Sequence, residues 1–402
     1  MFYISEFINN EITGRSRSMF ENDLKTHSEA LRAQISGKRL LVIGGAGTIG
    51  SSFIMAMLKF EPNSLFVIDN DENGLTELTR DLRSQQAIKV PAEYKSYPID
   101  FGDTVFEKIL TNERSFDIVA NFAAHKHVRS EKDHYSIEAM FRNNVIKAHG
   151  LLNLLLKNPP EHFFCVSTDK AANPVNLMGA SKQLMENLII SYAPEMKITT
   201  ARFANVAFSN GSLLRGFVER MMKKQPLSSP SDIKRYFISP AESGELCAIA
   251  CVLGNSGEIF FPKLREDEMK TFSDIAVAFL NEKGMKAKLC NSEDEAKQAA
   301  TEISSTSTEY PVYFFSSDTS GEKSFEEFYT EGEEIDLETY RALGVIKNAK
   351  RIDRTALNET MDKLSAVFDK TEVQKEEVLA LMKELIPNFE YIDRGKNLDS
   401  KM

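Results

Sequence analysis

The stretch Arg39-Leu-Leu-Val-Ile-Gly-Gly-Ala-Gly-Thr-Ile-Gly50 decides how the chain folds. Arg39 to Ile43 is a short apolar run that ends abruptly in glycine, which reads as a buried strand. The next seven residues hold two overlapping spacings, Gly45-x-Gly47-x-x-Gly50 and Gly44-x-x-Gly47-x-x-Gly50. Glycines let backbone turn tightly, approach a pyrophosphate without an intervening Cβ, and pack the next helix onto the sheet. Ser51 to Phe60 resumes helical spacing, so an anion here would meet the free N–H groups and positive dipole end of a helix. Asp69 stands nineteen residues after Gly50, at the end of a second apolar run, Leu65–Ile68, where a carboxylate that holds a ribose belongs. Gly44, Gly47, Thr48, Ile49, Gly50 and Asp69 are therefore candidates for binding a dinucleotide. The charge on Asp69 favours NAD, because it would repel the 2′-phosphate of NADP, though NADP stays possible. The plainer alternatives are a glycine-rich turn with no ligand and an aspartate that only closes a strand-end turn.

Further strands are expected at Tyr94–Ile99, Phe116–Phe122, His162–Val166 and Ile198–Phe203, with helical segments between them. Such alternation builds βαβ units, hence a doubly wound parallel sheet of the Rossmann kind covered on both faces. Residues 1–37 read as a polar helical arm with a capping-box pattern at Ser18-Met-Phe-Glu21. Residues 38–262 read as the dinucleotide-binding domain, with substrate-contacting segments from about 205. Residues 263–402 read as a smaller C-terminal α/β substrate domain that ends in helices, Leu357, Met361, Leu364, Val367 and Phe368 lying at helical spacing. The net charge of −10 is uneven: the part from Leu264 onward carries −11 and the part before it +1. Nucleic-acid coating needs clustered Lys and Arg, so no nucleic-acid partner is expected. Neither a membrane span nor a signal peptide is apparent, and four cysteines in 402 residues form no disulfide or metal-ligand framework. A cytoplasmic protein is the expectation, with no metal and no membrane partner.

Chemistry concentrates where the expected strands end. Asp100-Phe101 follows the third strand and is a candidate for the adenine, although an aspartate at a strand end is common. Asn121-Phe-Ala-Ala-His-Lys-His-Val128 follows the fourth, and small Ala123 and Ala124 would let backbone lie against a cofactor. Ser167-Thr-Asp-Lys-Ala171 follows the fifth, and a bland loop there needs no adjacent Thr, Asp and Lys. Asn173-Pro-Val-Asn-Leu-Met-Gly-Ala-Ser-Lys182 comes next, then Arg202-Phe-Ala-Asn-Val206.

Together these segments resemble the extended short-chain dehydrogenase/reductases, and most of all the UDP-N-acetylglucosamine 4,6-dehydratases of bacterial polysaccharide and glycan biosynthesis. The resemblance covers roughly residues 36–264 and resumes near Gly321-Glu-Lys-Ser-Phe-Glu-Glu327. It implies oxidation of the sugar at C4 by a bound nicotinamide cofactor, loss of water across C5 and C6, and return of the hydride to C6. Lys182 takes the place of the lysine that holds the nicotinamide ribose, and Thr168 that of the hydroxyl touching the sugar 4-OH. Asp169 stands in the place of the acid for the departing 6-hydroxyl, and Lys170 in that of the base for the C5 proton. That base role suits a desolvated lysine with a pKa near neutrality. Met178 replaces the usual tyrosine, a change found in some members of the group. It is expected to pack against the nicotinamide, with a relay through Thr168 to solvent or Asp169 taking over the tyrosine's proton. Asn205, Arg235, Lys126 and His127 are expected to contact the UDP-linked amino sugar, Arg235 by clamping the diphosphate. Rival readings are a nucleotide-sugar 4-epimerase, which needs no Asp169–Lys170 pair, and a catalytically silent dinucleotide-binding sensor or assembly subunit. Enzymes on this scaffold usually pair across a two-fold axis, so a homo-oligomer is expected, with the N-terminal arm reaching a neighbour.

Overall fold

The computed structural model describes residues 3–317, 323 and 325–392. Its centre is the parallel sheet formed by β1 (Arg39–Ile43), β2 (Ser64–Asp69), β3 (Glu93–Pro98), β4 (Ile118–Asn121), β5 (His162–Val166) and β6 (Ile198–Ala201), in the order β3-β2-β1-β4-β5-β6. Glu258–Pro262 continues the parallel run beyond β6, and Leu343–Ile346 and Ile335–Asp336 close that edge antiparallel. Each of β1 to β6 falls within two residues of the run that announced it, whereas the three strands beyond β6 had no such run. The winding direction reverses between β1 and β4, which opens a crevice at the carboxyl ends of the strands.

The period of two in β1 divides the core. Leu40 and Val42 face one side, packing with helices Thr48–Leu58, Glu72–Ser84 and Pro240–Leu253. Leu41 and Ile43 face the other, with helices Thr104–Asn112, Lys147–Leu155 and Leu177–Ser191. Helices Pro240–Leu253 and Thr48–Leu58 touch backbone to backbone: a Cβ on Gly244 would lie 2.1 Å from the Ser52 carbonyl oxygen. A side chain there would push the helix that follows the glycine loop off its seat.

A smaller unit stands over the crevice. Its parallel sheet runs Lys286–Leu289, Glu309–Phe315, Leu227–Pro230, and helices Leu213–Met222 and Phe272–Glu282 cover it. Phe217, Leu227, Phe279, Tyr310 and Val312 form its core.

The packing divides the chain differently from the expected segments 1–37, 38–262 and 263–402. Phe7, Ile8 and Ile12 belong to the core of the smaller unit, whereas Phe20, Leu31 and Ile35 belong to the main core. The arm expected to reach a neighbour therefore packs on its own chain, and Arg15 clamps it there with both carboxylate oxygens of Glu242 at 2.9 Å. Leu357, Leu364 and Phe368 of helix Arg354–Phe368, and Val378 and Met382 of helix Lys375–Leu385, also join the main core, against Leu188, Ile189 and Tyr192. Their apolar stripes help bury helix Leu177–Ser191, so these two helices return to the first domain. Ser18 does not form the capping box that its spacing suggested. Its hydroxyl donates to Glu245, at 2.5 Å, and the box forms instead between Ser239 and Glu242. Among the described residues no helix is long and apolar enough to cross a membrane.

Candidate active site

Between the two units lies a cleft of about 880 Å³. Its floor is the turn after β1. Gly44 has φ +73°, and a Cβ on it would come within 2.5 Å of the Ala123 amide nitrogen. Only glycine fits that turn without strain. A Cβ on Gly50 would lie 2.3 Å from the Gly44 carbonyl oxygen, whereas one on Gly47 would meet nothing closer than 3.4 Å and projects into the open cleft. Helix Thr48–Leu58 starts at Gly47 with no acidic side chain in its first turn, so its N–H groups are left to an anion. These residues fit a dinucleotide pyrophosphate.

Asp69 and Asp100 line the cleft beyond the glycine loop. The Asp69 carboxylate accepts from Ala46 N at 2.9 Å and Asp71 N at 3.0 Å, so it closes the strand-end turn and keeps further lone pairs toward the cleft. Asp100 accepts from Lys147 Nζ at 2.6 Å and Gly102 N at 2.7 Å, and Phe101 lies beneath Lys147. Ala123 and Ala124 line the opposite wall. Lys126 donates to the Asn210 carbonyl at 3.0 Å, and a Cβ on Gly211 would come within 2.9 Å of His127 Nε2. The Lys126–His127 segment thus meets the Ser209–Ser212 turn across the cleft.

At the end of β5 the fold assembles the protic groups. The Thr168 hydroxyl donates to Asp169 Oδ1 at 2.9 Å, and Lys170 Nζ donates to the same oxygen at 3.0 Å. Thr168 and Lys170 line the cleft, whereas Asp169, 3% exposed, lies behind them and communicates with it through their hydrogen bonds. The Lys170 ammonium corrects an expectation. Burial alone would push it down toward neutrality, but Asp169 and Glu326 outweigh burial, Arg235 offsets them only in part, and it stands above the ordinary lysine value. Lys170 is a cation in the resting site.

Lys182, 3% exposed, rises from helix Leu177–Ser191 into the cleft, donating to Val166 O at 2.7 Å. Burial holds its ammonium below the ordinary lysine value, against the pull of Cys165 and Glu186. Met178 sits one turn earlier, 2% exposed, with its backbone N–H donated to Glu131 Oε1 at 2.9 Å. Asn205 and Arg235 line the far wall; Arg235 is 5% exposed, which excludes the plain reading of a surface arginine. Its Nη1 donates to Lys234 O and Lys323 O, and its Nη2 lies 3.9 Å from Glu326 Oε1.

Sequence reasoning missed three features here. Glu131 clamps the start of the helix that carries Met178 and Lys182, and burial pushes its carboxyl up to about 7. Glu326, 6% exposed, lies 3.5 Å from Lys170 Nζ. It belongs to the Gly321–Glu327 motif, of which Gly321, Glu322 and Ser324 lie outside the described residues. Ser228 and Ser229, both buried at the cleft wall, carry hydroxyls with no hydrogen-bond partner among the described residues, as expected where a polar ligand completes the site.

Known proteins are similar to this chain in sequence and in fold. A protein described as an uncharacterized membrane protein of Methanocaldococcus jannaschii is 33% identical over 246 residues, which is 60% of this chain and 71% of that one. Capsular polysaccharide biosynthesis protein CapD of Staphylococcus aureus is 28% identical over 231 residues, 56% of this chain. UDP-glucose 4-epimerase of Rickettsia akari is 30% identical over 234 residues, also 56% of this chain. The matches span 38% of the length of CapD and 66% of that of the epimerase. Among solved structures, Pen from Bacillus thuringiensis superposes with a TM-score of 0.61 at 20% identity, over 80% of this chain and 90% of that one. The dTDP-glucose 4,6-dehydratase DesIV of Streptomyces venezuelae superposes with a TM-score of 0.55 at 18% identity, over 72% and 88%. These likenesses establish the fold. The profile of the polysaccharide biosynthesis protein family matches residues 40–348, from β1 to beyond the antiparallel edge of the sheet, and the chain belongs to that family.

Proposed function

We propose that the protein is a nucleotide-sugar 4,6-dehydratase that takes UDP-N-acetylglucosamine to a UDP-4-keto-6-deoxy amino sugar, with NAD held in the cleft. The observation that carries this reading is Thr168 and Lys170, both hydrogen-bonded to Asp169 behind them, on the same cleft as the glycine loop and Lys182. An epimerase has no work for an acid and a base at C5 and C6. Gly44, Gly47 and the N–H groups of Thr48, Ile49 and Gly50 hold the pyrophosphate, Asp69 the ribose, and Asp100 with Phe101 the adenine end. Bound nicotinamide supplies a hydride acceptor for C4 and later the donor for C6. Lys182 orients its ribose, with Met178 packed beside it.

The protons follow the hydrogen bonds. Met178 takes none, so the proton of the 4-hydroxyl passes to Thr168 Oγ1, whose own proton goes along the 2.9 Å bond to Asp169 Oδ1. Asp169 then holds the proton that the 6-hydroxyl needs when it leaves as water, and passes it back to the cleft through the Thr168 hydroxyl. Once C4 is a ketone the C5 proton is acidic, and the Lys170 amine takes it after its own ammonium proton has left to solvent through the cleft. The Lys170 side chain is 20% exposed, which leaves that path open. The Lys170 ammonium formed in that step then returns a proton to C5. Arg235 clamps the diphosphate, with Asn205, Lys126 and His127 around the sugar nucleotide.

The test is incubation with UDP-N-acetylglucosamine, read by mass spectrometry for loss of one water. In Lys170→Ala, C4 oxidation should continue and elimination stall, so reduced nicotinamide accumulates by its near-ultraviolet absorbance. Removing a general base typically lowers the rate about 10²–10⁴-fold. Inversion at C4 without loss of water would favour the epimerase, and a Lys170→Ala variant that dehydrates at the wild-type rate would remove the lysine from the mechanism.

A further inference from the structure

The acid/base group does not end at Asp169 and Lys170. Glu326 comes from a distant part of the chain, lines the same cleft, and is buried between two cations, Lys170 Nζ at 3.5 Å and Arg235 Nη2 at 3.9 Å. Its position is built rather than incidental. Two residues on, Phe328 is buried in the main core, and its carbonyl accepts from Arg202 Nη1 at 2.9 Å. Arg202 is itself fixed by paired bonds to Glu186 and Glu333. On the other flank, Glu327 accepts from Asn173 Nδ2 at 2.9 Å, in the segment that follows Lys170. The backbone on the C-terminal side of Glu326 is thus tied to β6 and to the loop after β5.

We infer that Glu326 is a positioning residue for the acid/base group: it holds the Lys170 side chain in the cleft and sets the pH at which that ammonium gives up its proton. The inference rests on the reading of Lys170 as the base for C5. The charged groups that face Lys170 are Asp169 and Glu326, which favour the ammonium, and Arg235, which opposes it. Those that face Glu326 are Lys170, Arg235 and Lys323, which favour its carboxylate, and Asp169, which does not. Burial opposes the charge on both groups. A carboxylate this near an ammonium raises its proton affinity, and Glu326 does so for Lys170 beside the larger effect of Asp169. Arg235 adds a link to substrate. A diphosphate that pairs with Arg235 draws from Glu326 a cation it otherwise shares, leaving the carboxylate more fully to Lys170.

The direct test needs no substrate. Competitive labelling of lysine amines with acetic anhydride across pH, read at Lys170 by mass spectrometry, reports the midpoint at which the reactive amine appears. Glu326→Gln should lower that midpoint by at least about one unit, a tenfold gain in labelling on the acid side, and Glu326→Asp should restore most of the wild-type value. Arg235→Gln should move it the other way, which keeps the test decisive if Glu326→Gln misfolds. In the dehydration assay the acid limb of kcat/KM should move to lower pH in Glu326→Gln, whereas a merely structural loss lowers the whole profile without moving it. An unchanged labelling midpoint in Glu326→Gln, or in Arg235→Gln if the first variant does not fold, overturns the inference. A wild-type protein that removes no water overturns the dehydratase reading instead, and the labelling result then still decides the role of Glu326.

Discussion

Replacing Glu131 by glutamine tests how the helix that carries Met178 and Lys182 is held. The Glu131 carboxyl lies in the turn Val128–Glu131 and accepts from the N–H of Met178 at 2.9 Å. Burial raises it from 4.5 to about 7, against the opposing effects of the Met178 and Leu177 N–H groups and of Lys375. The sign follows from where the proton sits. Below about pH 4.5 the folded and unfolded chains both keep it, so the group adds no pH-dependent term. Between 4.5 and 7 the unfolded chain releases it while the folded chain holds it, and stability falls as pH rises. Above 7 the loss is complete and amounts to about 3 kcal/mol. Glutamine offers the same carbonyl acceptor to Met178 without that penalty, at a cost of up to about 1 kcal/mol for the weaker neutral hydrogen bond. Glu131→Gln should therefore match or fall slightly below wild type at pH 4.5 and exceed it by about 2–3 kcal/mol at pH 8. Urea unfolding at the two pH values, followed by circular dichroism, measures the difference. Equal effects of the substitution at pH 4.5 and pH 8 would refute the reasoning.

Two further outcomes follow from the packing. Gly44→Ala puts a side chain at φ +73°, costing about 1–2 kcal/mol in backbone conformation, and drives its Cβ into the Ala123 amide. It should yield a folded protein with a lower Tm that binds NAD more weakly than wild type, measured by titration with NAD; affinity at the wild-type level would contradict the tight turn. Leu364→Asp buries a charge where helix Arg354–Phe368 meets the main core, at a cost above about 3 kcal/mol. It should release the C-terminal helices to limited proteolysis and expose an apolar face that associates, seen as a larger species in light scattering. An intact, unassociated variant would show that those helices do not cover helix Leu177–Ser191.

What the sequence made legible and what it hid differ in how the information is stored. β1, β2, β4 and β5 are short apolar runs closed by glycine or a polar residue, and the glycine loop, Ser167–Ala171 and Lys182 are contiguous signals at the strand ends. Local patterns of that kind survive being read one residue at a time. The C-terminal helices were legible too, but not their destination, because an amphipathic stripe states that a face is buried and not against what. The charge of Lys170 shows the limit most clearly. Burial, which the sequence suggested, pushes its proton off. The balance turns on Glu326, far along the chain in a segment without apolar periodicity, and on Asp169 next door. Only the folded chain brings Phe328 into the core and with it Glu326 to 3.5 Å from the ammonium. Met178 follows the same logic in reverse. By its side chain it is a lost proton donor, whereas in the structure its backbone N–H is held by the half-buried Glu131 carboxyl, raised to about 7. The identity of the protic groups at this site is local to the motif, but their protonation states depend on tertiary contacts. Substitutions at Glu326 and Glu131, outside the contiguous motif, should therefore move pH dependence more than substitutions of equal size on the exposed face of the same elements.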